Sequence, residues 1–153
     1  MLIKTIAAEH RLEARSLIEA VFMQYDAPDY SAQGVSTFQC ILADQSMLER
    51  LDMLGAYIEN KLVGVLATKN SGAHITFFFV DGRYHRKGIG KELFKQMLEQ
   101  NSQLKITVNS SPYAVDVYRR LGFAPDGDEC TTDGIRYTPM TYSRMRTQSL
   151  SGE

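Results

Sequence analysis

Cysteine is scarce in this chain of 153 residues: Cys40 and Cys130 stand far apart, with no CxxC and no histidine at metal-ligand spacing. That excludes a disulfide scaffold and a zinc site, and predicts two reduced, buried thiols in a cytoplasmic protein. Charge of one sign is also lacking. A formal net charge of −1 excludes a surface that attracts nucleic acid as a whole, so any anion site must be local. Nowhere are there the roughly 18 uninterrupted apolar residues of a membrane span, and the N-terminal MLIKTI lacks the apolar run of a secretory leader. The length suits one core, predicting a single domain over residues 1–145 and a frayed polar tail over 146–153.

The periodicities give an order of elements. Leu2 to Ile6 alternate as a strand, and Leu12, Leu17, Ile18, Val21 and Phe22 mark a helix that QYDAPDYS ends. Val35, Phe38, Ile41 and Leu42 mark a second helix, and Ser46 with Glu49 has the form of a capping box for a short third turn. Leu54 to Thr68 reads as a hairpin with its turn at Asn60-Lys61. HITFFFVD is then a central strand, expected to be buried on both faces. Ile89, Leu93, Phe94, Met97 and Leu98 form one face of a helix ending near Asn101, followed by strand LKITVN. In SSPYAVDVYRRLGF a further helix has Ser111 as N-cap, Pro112 at its first position and Gly122 as its stop, before a last hairpin about Asp133-Gly134. Hairpins mixed with crossovers predict an α+β, or mixed α/β, sheet with helices on its faces.

The stretch RYHRKGIGKELF joins the central strand to the next helix. Gly88 and Gly90 fall where the first helical turn leaves N–H groups without intrahelical partners, so an anion can approach the backbone closely. Arg86, Lys87 and Lys91 can add charge-assisted contacts. A dinucleotide fingerprint would need glycine or alanine at Leu93, and a P-loop would need serine or threonine at Glu92. Neither pattern is met.

Strand FFFVD, loop GRYHRKGIGKELF, strand KITVNSS, helix PYAVDVYRRLGF and the last hairpin together resemble the GNAT superfamily of N-acetyltransferases. The likeness covers most of the chain and is strongest from His74 to Phe123. It implies a central mixed, largely antiparallel sheet of about six to seven strands with helices on both faces. It also implies acetyl-CoA as co-substrate, with pyrophosphate on the amides of Arg86, Lys87, Gly88, Ile89, Gly90 and Lys91. The family's usual arginine or glutamine at the head of this loop is His85 here. The pantetheine arm would pair with the Phe79–Val80 strand, splayed from its neighbour. Asn109 would bond that arm or simply end its strand, and Ser111 would assist or only cap its helix.

Acetyl transfer to an amine needs a proton acceptor, a donor to the carbonyl oxygen, and a proton for the thiolate. The resemblance gives the last role to Tyr118, whose alternative reading is core packing. A backbone N–H of the Phe79–Val80 segment is expected to serve the oxygen. Glu59, His74 and Asp81 are candidates for the base, although His74 equally reads as a core histidine and Asp81 as a strand end. Phe22, Tyr25, Tyr30 and Phe38 would wall the acceptor site, with Asp26 or Asp29 attracting an ammonium or lying in a solvated loop. The expected function is acetyl transfer to a small-molecule or peptide amine in a ternary complex, with no metal, nucleic acid or membrane. The alternatives are a non-catalytic acyl-CoA-binding regulatory domain and a nucleic-acid module built on Arg83, Arg86, Lys87 and Lys91 with Arg119 and Arg120. The last hairpin also offers an edge for homodimer pairing.

Overall fold

A computed structural model describes residues 1–144, so the tail expected over 146–153 lies outside the described residues. Strands β1 (Leu2–Thr5), β2 (Asp52–Ile58), β3 (Lys61–Lys69), β4 (His74–Val80), β5 (Lys105–Ser110), β6 (Ala124–Pro125), β7 (Cys130–Thr132) and β8 (Ile135–Ser143) form an eight-stranded sheet. Its order is β1-β2-β3-β4-β5-β8-β6, with β7 paired to β8. All pairings are antiparallel except β4 with β5. Helices α1 (Arg11–Val21), α2 (Ala32–Ala43) and α3 (Gln45–Glu49) join one core, on the face of Val65, Ala67 and Phe77. Helices α4 (Ile89–Gln100) and α5 (Val115–Leu121) join the other, on the face of Leu66, Ile75 and Val108. No helix among the described residues is long and apolar enough to cross a membrane.

The parallel pairing is confined to His74↔Thr107 and Ile75↔Val108. Beyond Ile75 the two strands part. Antiparallel pairing divides the sheet into β1–β4 and β5–β8–β6, and among the described residues this short parallel seam is all that joins the halves by ladder bonds. A register shift in the β3–β4 pairing leaves Thr76 without an opposite residue. This bulge puts Ile75, Phe78 and Val80 toward α4 and α5, while Phe77 and Phe79 turn toward α1 and α2. Only Ile75 and Phe77 are fully buried, against the expectation that all of β4 would be, because Phe78, Phe79 and Val80 line the parted end.

Four local expectations are corrected. The β2–β3 turn is Glu59-Asn60, with φ of 52° and 66°, because asparagine and an exposed glutamate accept the left-handed region that a primed turn requires. The α3 cap is Asp44, whose Oδ1 accepts from the Met47 N–H at 3.2 Å, while Ser46 accepts from Arg50. Ser111 caps nothing with its hydroxyl, which is committed elsewhere. Cys40 is exposed on the outer face of α2 and Cys130 half-exposed, so neither is a core thiol.

The start of α2 is clamped to the β7–β8 turn. A Cβ on Gly34 would stand 2.2 Å from the Gly134 carbonyl oxygen. Thr37 Oγ1 donates to the Asp133 carbonyl at 2.8 Å beside this contact. The clamp requires the absence of a side chain. Gly34→Ala is therefore expected to lower stability by about 1–3 kcal/mol in urea unfolding, whereas Gly127→Ala, with open space around it, should change it by less than about 0.5 kcal/mol.

Candidate functional site

The parted end of β4 supplies unused backbone groups. The Asp81 N–H bonds the Val63 carbonyl at 2.8 Å, so by strand alternation Phe79 also faces β3, and the amides of Phe78 and Val80 face the gap. At its end the Val80 carbonyl accepts from His85 Nε2 at 2.7 Å. This bond fixes the imidazole tautomer with its proton on Nε2 and ties the loop to the strand. The side chain that departs from the family pattern thus acts on protein backbone.

After β4 the chain makes one 3₁₀ turn, Gly82–Tyr84, capped by Asp81, and then enters the glycine loop. Arg86 has φ of 63° and Gly88 of 83°, with Lys87 between them outside the left-handed region. Such alternation aims successive N–H groups into one concavity. A Cβ built on Gly88 would meet nothing within 4 Å, and one on Gly90 would reach no closer than 3.6 Å, to Phe78. The space over this N-terminus of α4 is open. Arg86, Lys87 and Lys91 are exposed around it, while Ile89 is buried and anchors the helix. An anion would find the loop amides, the helix dipole and cationic side chains together.

Tyr118 enters from the α4–α5 face. It is 6% exposed, with its ring edge-on to Phe78 at 6.0 Å and to Phe123 at 5.3 Å. Burial, reinforced by the nearby charge of Asp26, pushes its phenol well above the ordinary tyrosine value. It stays protonated at neutral pH. Packing and a place beside the gap are both true of this side chain.

From the opposite face the chain leaves α1 through a π-helical turn, Phe22–Asp26, and a 3₁₀ turn, Ala27–Asp29. The wider turn carries Tyr25 and Asp26 over the end of the gap. The Tyr25 ring lies 4.8 Å from that of His85, after β4, and 5.2 Å from that of Tyr113, after β5. Asp26 is 7% exposed, and its Oδ1 accepts from Ser111 Oγ at 3.1 Å. Burial raises its carboxyl to about 6, the serine bond opposing and Asp29 adding to the shift. Tyr30, pushed up to about 12 by burial and by Asp26, donates to the Arg136 carbonyl at 3.1 Å and so ties this segment to β8.

The other expected residues are spread more widely. Phe22 is core, stacked on Phe38 at 3.8 Å, and Phe38 packs against Phe77 and Phe79 behind the gap. Asn109 is exposed on β5 opposite Pro139. Glu59 projects from the β2–β3 turn, two strands from the gap. His74 sits at the closed end of β4, about 20 Å along the strand from Val80 at 3.3 Å per residue. Its Nδ1 bonds Thr107 Oγ1 at 2.7 Å, and burial lowers its pKa, as for a core histidine. Asp81 is held at about 2 by its hydrogen bonds to Arg83. Glu59 and His74 thus stand away from the gap, and Asp81, next after Val80, commits its carboxylate to Arg83. Asp26, read either as attracting an ammonium or as lying in a solvated loop, is a buried carboxylate held by Ser111, so the solvated loop is ruled out. An open groove of about 680 Å³ is lined by Leu17, Val21, Tyr25, Leu62, Asp81 and Arg83 among others, and its lining includes neither Tyr118 nor Asp26.

The raised carboxyl has a stability consequence. A group whose folded pKa lies above its unfolded value binds more protons when folded, so stability falls as pH rises from the unfolded value of 3.8 to about 6. Above that window the buried charge costs on the order of 2–3 kcal/mol. Asp26→Asn is expected to raise Tm at pH 7.5 and to have little effect at pH 4, as read by differential scanning calorimetry.

Residues 26–144 match the family model of the acetyltransferase (GNAT) domain. The chain is 28% identical over 92 residues to the spermine/spermidine N(1)-acetyltransferase of Bacillus subtilis (strain 168), a match covering 49% of this chain and 60% of that relative. It thus spans less than two thirds of the curated relative. Among solved structures, a GCN5-related N-acetyltransferase from Rhodopseudomonas palustris superposes with a TM-score of 0.78 at 20% identity, covering 93% of this chain and 94% of the other. The PaiA N-acetyltransferase from Thermoplasma acidophilum, in complex with coenzyme A, gives 0.70 at 18% identity over 94% and 99%. These two likenesses are of fold. The parted central strands, the glycine loop and the family match over 26–144 lead to one statement: the chain belongs to the GNAT acetyltransferase family.

Proposed function

We propose that this chain, as one domain over residues 1–145, is an acetyl-CoA-dependent N-acetyltransferase that passes the acetyl group directly to an amine in a ternary complex. The observation that carries the reading is the gap beyond Ile75, with amides of Phe78 and Val80 facing it, an open glycine loop at its end and Tyr118 on its wall. When bound, acetyl-CoA supplies an activated acyl thioester.

The chain's own groups fit that ligand. The amides from Arg86 to Lys91 would hold the pyrophosphate, with Arg86, Lys87 and Lys91 as cationic partners. An N–H of Phe78 or Val80 would donate to the carbonyl oxygen as negative charge develops there. Tyr118 would give its proton to the departing sulfur. Its elevated pKa does not bar this, because the desolvation that raises a phenol also raises a thiol.

The acceptor would approach from the α1–α2 side, bounded by Tyr25, Tyr30 and Asp26. The likeness to a spermine/spermidine acetyltransferase puts polyamines first in an acceptor panel that also holds amino acids, an aminoglycoside and a peptide N-terminus.

Calorimetric titration with acetyl-CoA, then thiol release against that panel, tests the reading. Binding with release from at least one amine supports it. Binding without release would favour a non-catalytic acyl-CoA-binding domain, and no binding would remove the loop from any such site. Gly90→Glu should abolish acetyl-CoA affinity while Gly90→Ala keeps it, the added methyl meeting Phe78 at no closer than 3.6 Å. Tyr118→Phe should lower kcat roughly 10- to 1000-fold with little change in cofactor affinity; an unaltered kcat would leave that side chain a packing role.

A further inference from the structure

We propose that Asp26 is the catalytic base that takes the proton of the acceptor ammonium, and that Ser111 is the positioning residue that aims its carboxylate across the gap toward Tyr118. The inference rests on the acetyltransferase reading above and assigns the group that neither His74, Glu59 nor Asp81 can supply.

Two opposed approaches to one gap carry it. Tyr118 comes from the α4–α5 side, packed with Phe78 and Phe123, whereas Asp26 comes from the α1–α2 side at the end of the π-helical turn. They are near enough for the aspartate's charge to act on the phenol. A reaction between them would have its proton acceptor on the amine side and its proton donor on the sulfur side. Ser111 follows directly on β5, so its 3.1 Å bond to Asp26 Oδ1 pins the carboxylate to the far lip of the gap. Among the described residues, Ser111 is the side chain seen to hydrogen-bond this carboxylate, and no cation forms an ion pair with it. Oδ2 is left for a ligand.

The surroundings favour a base over a simple charge. Asp29 and Tyr30 face Asp26 from its own segment, and Ser111, Tyr113 and Tyr118 from the β5–α5 segment. His85 packs on the ring of the adjacent Tyr25, Arg86 acts on Tyr113, and Arg136 lies beyond Tyr30. The nearby groups are thus mainly neutral phenols and a second carboxylate. A carboxyl raised to about 6 in such a place is ionised at neutral pH and far more basic than a free aspartate.

The proton count closes. The ammonium gives one proton to Asp26 Oδ2, and the freed lone pair forms the C–N bond as the C–S bond breaks. Sulfur leaves with its electron pair and takes the Tyr118 proton. The nitrogen's second proton returns to the Tyr118 oxygen, and Asp26 discharges the first to solvent, giving amide, free thiol and one net proton.

The test is the pH profile of kcat/KM from pH 5 to 10, with acetyl-CoA and the acceptor that wild type acetylates fastest in the panel. Wild type, Asp26→Asn, Asp26→Glu and Ser111→Ala are compared, with acetyl-CoA affinity measured on each by calorimetry. Wild type should lose activity as pH falls through about 6. Ser111→Ala should move that limb upward, because the serine bond holds the carboxyl down. Asp26→Asn should abolish the limb, fall about 100-fold at pH 7 and approach wild type as pH nears the amine's own pKa. Asp26→Glu should restore part of the activity with a limb, and acetyl-CoA affinity should stay within about twofold throughout. An Asp26→Asn profile identical to wild type, or one in which only the amine KM rises, overturns the base. If that variant does not fold, an unmoved limb in Ser111→Ala overturns it instead. Wild type that binds no acetyl-CoA, or acetylates nothing, overturns the acetyltransferase reading and this one with it. Intact affinity and wild-type turnover with an unaffected Asp26→Asn sink the base alone.

Discussion

Two residue pairs, His74 with Thr107 and Ile75 with Val108, are all that joins β4 to β5, and the rest of the arrangement follows from that seam. Were it longer, Phe78 and Val80 would spend their amides on the ladder, and Tyr118 would pack under a closed sheet. Were it absent, the halves β1–β4 and β5–β8–β6 would be joined only by crossovers and side-chain packing. The Thr107 N–H, bonded to the Ala73 carbonyl at 2.9 Å, and the His74–Thr107 side-chain bond strengthen the closed end. His74 is better understood as part of this hinge than as chemistry. A sheet so divided leaves the Phe78 and Val80 amides unspent on the ladder, where on the acetyltransferase reading they would stabilise a developing oxyanion.

The opposite end is held by side chains. Tyr25 spans His85 and Tyr113, Ser111 holds Asp26, and Tyr30 with Arg136 fastens the same segment to β8. The Gly34–Gly134 contact presses α2 onto the β7–β8 turn beside them. This packing forces a carboxylate into surroundings that disfavour its charge. The cost is desolvation, set against two hydrophobic cores on either side of the sheet.

Much of this was legible in the sequence. The strand–loop–helix unit from His74 to Leu98 announced itself because a β period gives way to a helical one at two glycines, and both signals are local. The resemblance added Tyr118. What could not be read were features made by residues distant in sequence. Asp26 looks like a loop residue because Pro28 and Asp29 follow it, yet it is buried at the end of a π-helical turn that has no sequence signature, hydrogen-bonded by Ser111, 85 residues away. The bulge at Thr76 likewise reverses which face each phenylalanine takes relative to Ile75, and FFF reads the same in either register. Ser111 in turn resembled a cap, since Ser-Pro suits a helix start, but its hydroxyl accepts no helix N–H and donates to Asp26.

The β4–β5 seam ends after Ile75, and on the acetyltransferase reading this leaves Phe78 and Val80 to receive acetyl-CoA. Residue-resolved amide hydrogen exchange by NMR, with and without acetyl-CoA, tests both statements. Fast exchange is expected at Phe78 and Val80 in the free protein, with slow exchange at Thr107 and protection of Phe78, Val80 and the Arg86–Lys91 amides when acetyl-CoA is added. Phe78 and Val80 amides as protected as that of Thr107 before any ligand would rule out the gap, and amides unchanged by acetyl-CoA would rule out its use.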